Sequence, residues 1–418
     1  MLHIAIDIRP LMSSNRTGVG EYTYELLNAL FKIDHQNQYF LFYNSRKDVS
    51  QNIPDWKYDN VHYIHTHWPN KLFNLFQKIF KYPKIDKLIT NHFNTQTIKQ
   101  LNTLTNKQFQ QAKRSNKQSD PTLQQLDCFF SPNLNFTSLS KNIKHILTIH
   151  DLSFELYPQY YSFKRRLWHW AINAKQQCWQ AKIILTPSKN TELDLVEYFQ
   201  IPHDKIKTIY PGINLGSNEL GLVNNCTPSD KKEVKEKYNL PDNFILYLGT
   251  VEPRKNIIGL IKAFEKIKSQ YPISNIQYLI IAGVKGWKNK KIYKTALQSK
   301  YADYIKFIGY IDPIDKPAFY AMAKVFIYPS FYEGFGFPVL EAMSCYTPVI
   351  TSNRSSLPEI TNNSAYLINP HKIDEISKSI KEMIENSQLR EYYIARGAEV
   401  VKKYNWEETA KKFLETIS

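Results

Sequence analysis

Cysteine is scarce. Four residues, Cys128, Cys178, Cys226 and Cys345, are spread over 418 positions, which fits reduced thiols and excludes a Cys-x-x-Cys metal or redox site. Long apolar runs are missing as well. No stretch approaches the roughly 18 residues that cross a bilayer, and the opening residues, Leu2 to Ile8, read directly as a strand, so no signal peptide is expected. Repeats at solenoid spacing are absent. Acidic residues fall short: 38 Asp+Glu stand against 54 Lys+Arg, a net charge of +16. A basic surface suits nucleic acid, anionic lipid or a phosphorylated substrate. The lysines are scattered, however, as in an ordinary basic soluble protein. With 43% apolar and 14% aromatic residues, a chain of this length fills two or three cores.

What is present concentrates in one stretch. Ser330 to Glu341 reads S-F-Y-E-G-F-G-F-P-V-L-E. The run Val325 to Tyr328 before it reads as a buried strand, which Pro329 and Ser330 end. Gly334 and Gly336 let the backbone turn tightly and approach a ligand. Pro338 suits the first position of a helix, where its missing N–H is no loss. Val339, Leu340, Ala342 and Met343 carry that helix into a core. A helix N-terminus offers free N–H groups and partial positive charge, which suit phosphate. Glu333 and Glu341, one on each side of the turn, repel phosphate but accept strongly from hydroxyls. Phosphate in the middle with hydroxyls at both ends describes a sugar nucleotide.

The same strand, glycine loop and helix open the chain: His3 to Ile8, then Thr17-Gly18-Val19-Gly20, then a face of Tyr22, Leu26, Leu27 and Leu30. Tyr39 to Tyr43 and Val61 to His65 read as strands. His62 and His65 would point to opposite faces, against a metal site. Residues 71–82 are the most amphipathic part. Leu72, Phe73, Leu75, Phe76, Ile79 and Phe80 cover one broad side, flanked by Lys71, Lys78 and Lys81. That pattern fits a helix on an anionic membrane, and more readily one packed on the core or closing as a lid. Residues 94–125 are polar and read as a mobile insertion. Ile143 to Ile149 is a strand ending in His150-Asp151, at the edge where open parallel sheets collect catalytic groups. Phe163 to Gln180 reads as one aromatic, basic helix. Residues 216–242 read as a linker and the helix after it. Then F-I-L-Y-L-G-T, from Phe244, leads into V-E-P-R-K-N. Its Arg254 and Lys255 can neutralise a diphosphate, one as a fixed fork and the other as a point charge. Strand–helix alternation occurs twice, giving two doubly wound α/β domains that face a cleft.

The string Y-E-G-F-G-F-P-V-L-E-A-M, with glutamates eight apart, resembles the E-x7-E motif of the retaining glycosyltransferases of family 4, which have the GT-B fold. E-P-R-K-N and T-I-H-D-L-S-F also look like family segments, and the likeness covers most of the chain, weakest over 65–125. The resemblance implies two Rossmann-like domains. Residues 1–215 form the acceptor side, with an insertion at about 65–125. Residues 216–395 bind the nucleotide sugar, and 396–418 form a helix crossing back to the first domain. It implies that Glu341 holds the ribose hydroxyls and Glu333 the sugar hydroxyls. Arg254 and Lys255, with the amides of Gly334, Phe335, Gly336, Phe337 and Pro338, stabilise the departing diphosphate. His150 contacts the donor sugar beside the reacting carbon, oriented by Asp151. Gly18 and Gly20 lie over the donor phosphates, and the backbone of Tyr310 and Ile311 edges the base. Ser355 and Ser356 are expected near the diphosphate or the helix cap. No metal and no other cofactor is implied: the chain has no Asp-x-Asp triplet, and in this family cations do that work. Two positions depart from the pattern. Thr250 stands where some relatives have Arg, leaving Arg254 to share the duty. Tyr346 stands where Gly is common, a change expected to narrow the pocket beside the base.

The implied function is retaining, metal-independent transfer of a hexose from a nucleotide sugar to a hydroxyl of a glycan or lipid-linked acceptor in cell-surface polysaccharide synthesis. The departing phosphate takes the acceptor proton, so no protein base is named. Many relatives with this pattern transfer mannose from GDP-mannose, which inclines the reading toward that donor. The enzyme is expected in the cytoplasm, peripheral at the inner face of the membrane, touching anionic lipid and no nucleic acid. Two other readings stay open. One is another GT-B activity, such as a nucleotide-sugar epimerase or a phosphorylase. The other is a non-enzymatic polyanion-binding protein, which the charge suggests but which leaves the acidic motif unexplained.

Overall fold

The computed structural model describes residues 1–14, 16, 18–93, 125–213, 227–270 and 278–418. The insertion read over 94–125 lies outside them except for Gln125, as does the linker over 216–226.

Two parallel sheets organise the described residues. The first runs β3-β2-β1-β4-β5-β6-β7. Its strands are β1 (His3–Asp7), β2 (Gln38–Asn44), β3 (Val61–Thr66), β4 (Cys128–Ser131), β5 (Lys144–Thr148), β6 (Ile183–Thr186) and β7 (Ile206–Thr208). The second runs β10-β9-β8-β11-β12-β13. It holds β8 (Phe244–Leu248), β9 (Tyr278–Ala282), β10 (Ile305–Gly309), β11 (Val325–Tyr328), β12 (Val349–Ser352) and β13 (Tyr366–Ile368). β8 and β11 are buried at every position, as strands covered by helices on both faces must be, and their unbroken apolar runs follow from that. In each sheet the order reverses between two central strands, β1 and β4 in one, β8 and β11 in the other. Helices leave opposite faces there and open a crevice beyond the strand ends.

Six helices bear on function: α1 (Gly18–Ile33), α2 (Asn70–Ile79), α3 (Phe163–Ile172), α4 (Lys189–Phe199), α5 (Phe337–Ser344) and α6 (Trp406–Ile417). α1 buries Tyr22, Leu26, Leu27 and Leu30, the stripe its period requires. Gly18 and Gly20 lie in its first turn rather than in a loop before it. Neither has a positive φ, so the strand–helix junction closes without a left-handed residue at either position.

Two helical readings change. The aromatic helix expected over 163–180 breaks at Asn173, whose φ is +50. Asparagine tolerates that conformation, and its side chain caps the next helix, Ala174–Gln180. On α2 the broad apolar side is largely uncovered. Phe73 is buried, whereas Leu72, Leu75, Ile79 and Phe80 are exposed. The face turned inward also carries Gln77, which donates to the Pro83 carbonyl at 2.6 Å and accepts from the Ser138 N–H at 2.6 Å. Periodicity shows which residues share a face, not which face meets the core.

The chain leaves the second core only after Tyr404. Position 396 lies inside the helix Ser387–Val401, whose Val400 and Val401 still belong to that core. α6 then packs on the first sheet's layer, with Ala410, Phe413 and Ile417 beside Ile4 and Ile6. Full burial of Phe413 stabilises this docking by about 2 kcal/mol. Elsewhere the Glu359 carboxylate, from the second layer, accepts from the Lys189 and Asn190 N–H groups at 2.7 and 3.0 Å. It thereby supplies the anion that the N-terminus of α4 favours.

Candidate active site

The two layers touch at Gly334. A Cβ there would lie 1.9 Å from the His150 carbonyl oxygen, so glycine alone permits the approach. The Gly334 carbonyl accepts from Ser188 Oγ at 2.7 Å, the residue that caps α4. Gly336 has φ +119, and a Cβ on it would meet Leu357 and Ile360 side chains at 2.8 and 2.9 Å. It starts α5, with Pro338 in the first turn. Ser356 Oγ donates to the Glu333 and Phe335 carbonyls at 3.0 and 2.6 Å, and Ser355 Oγ accepts from the Glu333 N–H at 2.8 Å. These two serines brace the turn.

Glu333 is only 6% exposed, and each of its oxygens has a cation. Oε1 accepts from Lys255 at 2.6 Å and Oε2 from Arg254 at 3.1 Å. Burial alone would push this carboxyl up; Arg254 and Lys255 together outweigh it and hold the pKa at about 2. Lys255 also donates to the Tyr328 hydroxyl at 2.6 Å. Its own pKa is lowered, by burial first and by Arg254 next, against the pull of the carboxylates. Arg254 reaches Glu252 Oε1 at 2.8 Å. Glu252 is 1% exposed; burial raises its pKa, and its Oε2 has no hydrogen-bond partner among the described residues. The two cations expected to meet a diphosphate are thus matched by two carboxylates. Glu252 is a member that sequence reading passed over, although V-E-P-R-K-N places it two residues before Arg254.

Glu341 lies in other company. Tyr320 OH donates to it at 2.7 Å and Lys316 Nζ stands at 3.5 Å. Glu341 raises the Lys316 pKa above its ordinary value despite burial, and Glu21, in the first turn of α1, adds to the effect. The N-terminus of α1 therefore faces the Glu341 end of the crevice. No motif marks Lys316 or Tyr320; only the fold brings them in. Tyr310 is half exposed and Ile311 buried just past β10.

His150 follows β5. Its Nε2 lies 2.8 Å from the Pro132 carbonyl, so Nε2 carries the proton and donates, leaving Nδ1 as an acceptor. The ring packs edge-on against Tyr22 at 4.8 Å. Burial lowers its pKa, which keeps it neutral. Asp151 does not orient it: its Oδ1 accepts from Ser153 N–H and Oγ at 2.9 and 2.6 Å. The imidazole turns toward the segment after β4 and the carboxylate toward Ser153 in the following helical turn.

Tyr346 has φ +55, a left-handed geometry that suits glycine better than tyrosine. It lies just past the C-terminal end of α5 and is partly exposed. His62 bonds to Gln38, while His65 and His67 pack ring to ring. Among the described residues no group of three His, Cys, Asp or Glu is placed to hold a metal, and no helix is long and apolar enough to cross a membrane. Cys128, Cys178 and Cys345 are buried and form no disulfide among the described residues.

Comparison with known proteins adds the family. Residues 229–400 match the model for glycosyl transferases group 1, and residues 100–217 the model for glycosyltransferase family 4. The chain is 34% identical over 270 residues to the O-antigen chain mannosyltransferase B of Escherichia coli, covering 63% of this chain and 67% of that one. It is 28% identical over 281 residues to the serotype-specific mannosyltransferase WbdA of Escherichia coli, of which it spans 33%. Among solved structures, sucrose-phosphate synthase from Thermosynechococcus elongatus superposes with a TM-score of 0.68 at 19% identity, over 100% of this chain and 98% of that one. WaaG, a glycosyltransferase involved in lipopolysaccharide biosynthesis, does so with 0.63 at 14% identity, over 99% of each. With this fold, these family matches and that acidic motif, the chain belongs to the group 1, family 4 glycosyltransferases of GT-B fold.

Proposed function

We propose that this glycosyltransferase moves mannose from GDP-mannose, with retention, to a hydroxyl of a lipid-linked glycan in surface polysaccharide synthesis. The observation that carries the reading is the buried Glu333–Arg254–Lys255 cluster beneath a glycine turn in contact with His150. A carboxylate offers about four acceptor sites. Lys255 and Arg254 take two on Glu333, and the rest accept sugar hydroxyls. The same two cations, with the free N–H groups that open α5, stabilise the diphosphate as it leaves. Glu341 takes the ribose hydroxyls. His150, neutral, offers Nδ1 to the donor sugar. The O-antigen mannosyltransferases among the relatives favour mannose.

A lipid-linked acceptor is favoured by the surface of α2. Leu72, Leu75, Ile79 and Phe80 face outward, Phe163, Leu167, Trp168 and Trp170 are exposed on α3, and Lys78 Nζ lies 5.1 Å from the Trp170 ring. Apolar and cationic groups on one surface suit the anionic, cytoplasmic leaflet. Co-sedimentation with phosphatidylglycerol vesicles checks this: Leu75→Glu with Phe80→Glu should release the protein, and undiminished binding would remove the argument.

Thermal shift against GDP, UDP and ADP tests the donor first, with GDP expected to stabilise most. Labelled mannose should then pass from GDP-mannose to a lipid-linked acceptor. Lys255→Ala should lower kcat by about 100-fold or more; unchanged turnover would overturn its leaving-group role. Release of free or epimerised donor without acceptor would point to a different GT-B reaction.

A further inference from the structure

The first sheet has a crevice of its own. Its strand order reverses between β1 and β4, and open α/β sheets bind ligands beyond the C-terminal ends of the strands at such a point. A cleft of about 170 Å³ lies there. By the volume a single water needs, that is room for about ten waters, the bulk of one hexose unit.

The lining is amide-rich and electrically neutral. Arg9, just past β1, places Nε and one terminal nitrogen on the two Asp7 oxygens at 2.8 and 2.6 Å. Its remaining contacts go to the Phe136 carbonyl and Thr137 Oγ1. Its charge is cancelled and its donors are nearly used up. Asn44, at the end of β2, is equally tied: it donates to the Trp68 carbonyl and to Asn70 Oδ1, and accepts from Thr66 Oγ1 and the Trp68 N–H. That arrangement fixes Asn70 with its NH2 group unused among the described residues. Asn133, past β4, has a buried Oδ1 with no hydrogen-bond partner among the described residues. Asn74, one turn along α2 from Asn70, makes no side-chain hydrogen bond among the described residues. Phe73 supplies a buried apolar wall. Unused amide donors and acceptors match hydroxyls, which also do both. A phosphate only accepts and calls for an unpaired cation, which this cleft lacks among its described lining residues.

Position joins the cleft to the transfer site. Asn133 directly follows Pro132, whose carbonyl holds the His150 ring at 2.8 Å. α2 turns Asn70 and Asn74 toward the cleft and its exposed apolar residues outward. We infer that this cleft is the subsite for an uncharged sugar unit of the acceptor glycan, read by the amides of Asn70, Asn74 and Asn133. The inference rests on the transferase reading and names the acceptor chemistry of that site.

The test titrates the full chain with methyl α-mannoside, methyl α-glucoside, N-acetylglucosamine and mannose 6-phosphate by ligand-observed NMR, with and without GDP. A neutral sugar should bind saturably and the phosphorylated one no better. Asn74→Ala and Asn133→Ala should each weaken the neutral sugar about ten-fold, with the GDP thermal shift unchanged and the acceptor KM raised. Asn74 has no hydrogen bond to lose, so its variant keeps the test sound if Asn133→Ala folds poorly. Unchanged sugar affinity in both variants, no saturable neutral-sugar binding, or preference for mannose 6-phosphate would each overturn the assignment. A missing GDP shift would strike the donor reading instead, while the sugar titrations still decide the cleft.

Discussion

Gly18 and Gly20 open α1 in the first layer; Gly334 and Gly336 open α5 in the second. In sequence the pairs look alike: strand, short loop, Gly-x-Gly, helix. In space they differ. Among the described residues a Cβ on Gly18 meets nothing within 4 Å, and one on Gly20 comes no nearer than 3.3 Å, to Arg16 Cβ. A Cβ on Gly334 would stand 1.9 Å from the His150 oxygen, and Gly336 needs φ +119. The second pair is dictated by the protein's own packing: Gly334 seats one layer on the other, and Gly336 lets α5 close against Leu357 and Ile360 within its own layer. The first pair meets a weaker demand: Gly20 is buried close to Arg16 and Pro10, while Gly18 meets nothing among the described residues and leaves the free N–H groups of that turn approachable. Similar local patterns can therefore mark a tight structural contact in one domain and an open helix start in the other.

The comparison can be broken at several points. Gly334→Ala should cost about 3 kcal/mol or more, since the clash is with backbone that cannot rotate away; a denaturation midpoint near wild type would show that the layers part freely. The same turn carries the charge that matters in acid. Glu333 is held at about 2 against an ordinary 4.5, so its pairing stabilises the fold fully above pH 4.5 and is lost as pH falls toward 2. The loss is about 3 kcal/mol across that window. Urea titrations at pH 6 and pH 3 should show Glu333→Gln with a shallower acid loss than wild type; equal losses would mean the cluster does not control it. Gly18→Ala should leave stability unchanged or raise it by up to about 1 kcal/mol, yet lower kcat/KM about ten-fold through a misplaced ligand. Full activity would remove α1 from the ligand's path and reduce both pairs to folding devices.

Legibility followed range. The strand–turn–helix around Gly334 could be read because all its parts lie in one continuous stretch, Val325 to Ser344, and β8 and β11 could be read because burial on both faces forces continuous apolar runs. The cations at 254 and 255 were visible as a pair, but their engagement with Glu333 spans 79 and 78 positions. Asp151 misled because adjacency in sequence resembles contact, while the structure gives the imidazole a carbonyl 18 positions away. The apolar residues of α2 misled because a hydrophobic face invites a core, and here Gln77 turned inward instead.

Composition and pattern determined that this is a doubly wound α/β protein of two domains with a glycine turn flanked by carboxylates, because period, glycine and helix-start chemistry are local properties of the chain. Tertiary structure alone decided which charges neutralise one another, which glycine pair is sterically obligatory, and that asparagines from β2, α2 and the β4 loop share one cleft. Those outcomes depend on distances between segments that folding brings together, and no spacing along the chain encodes them.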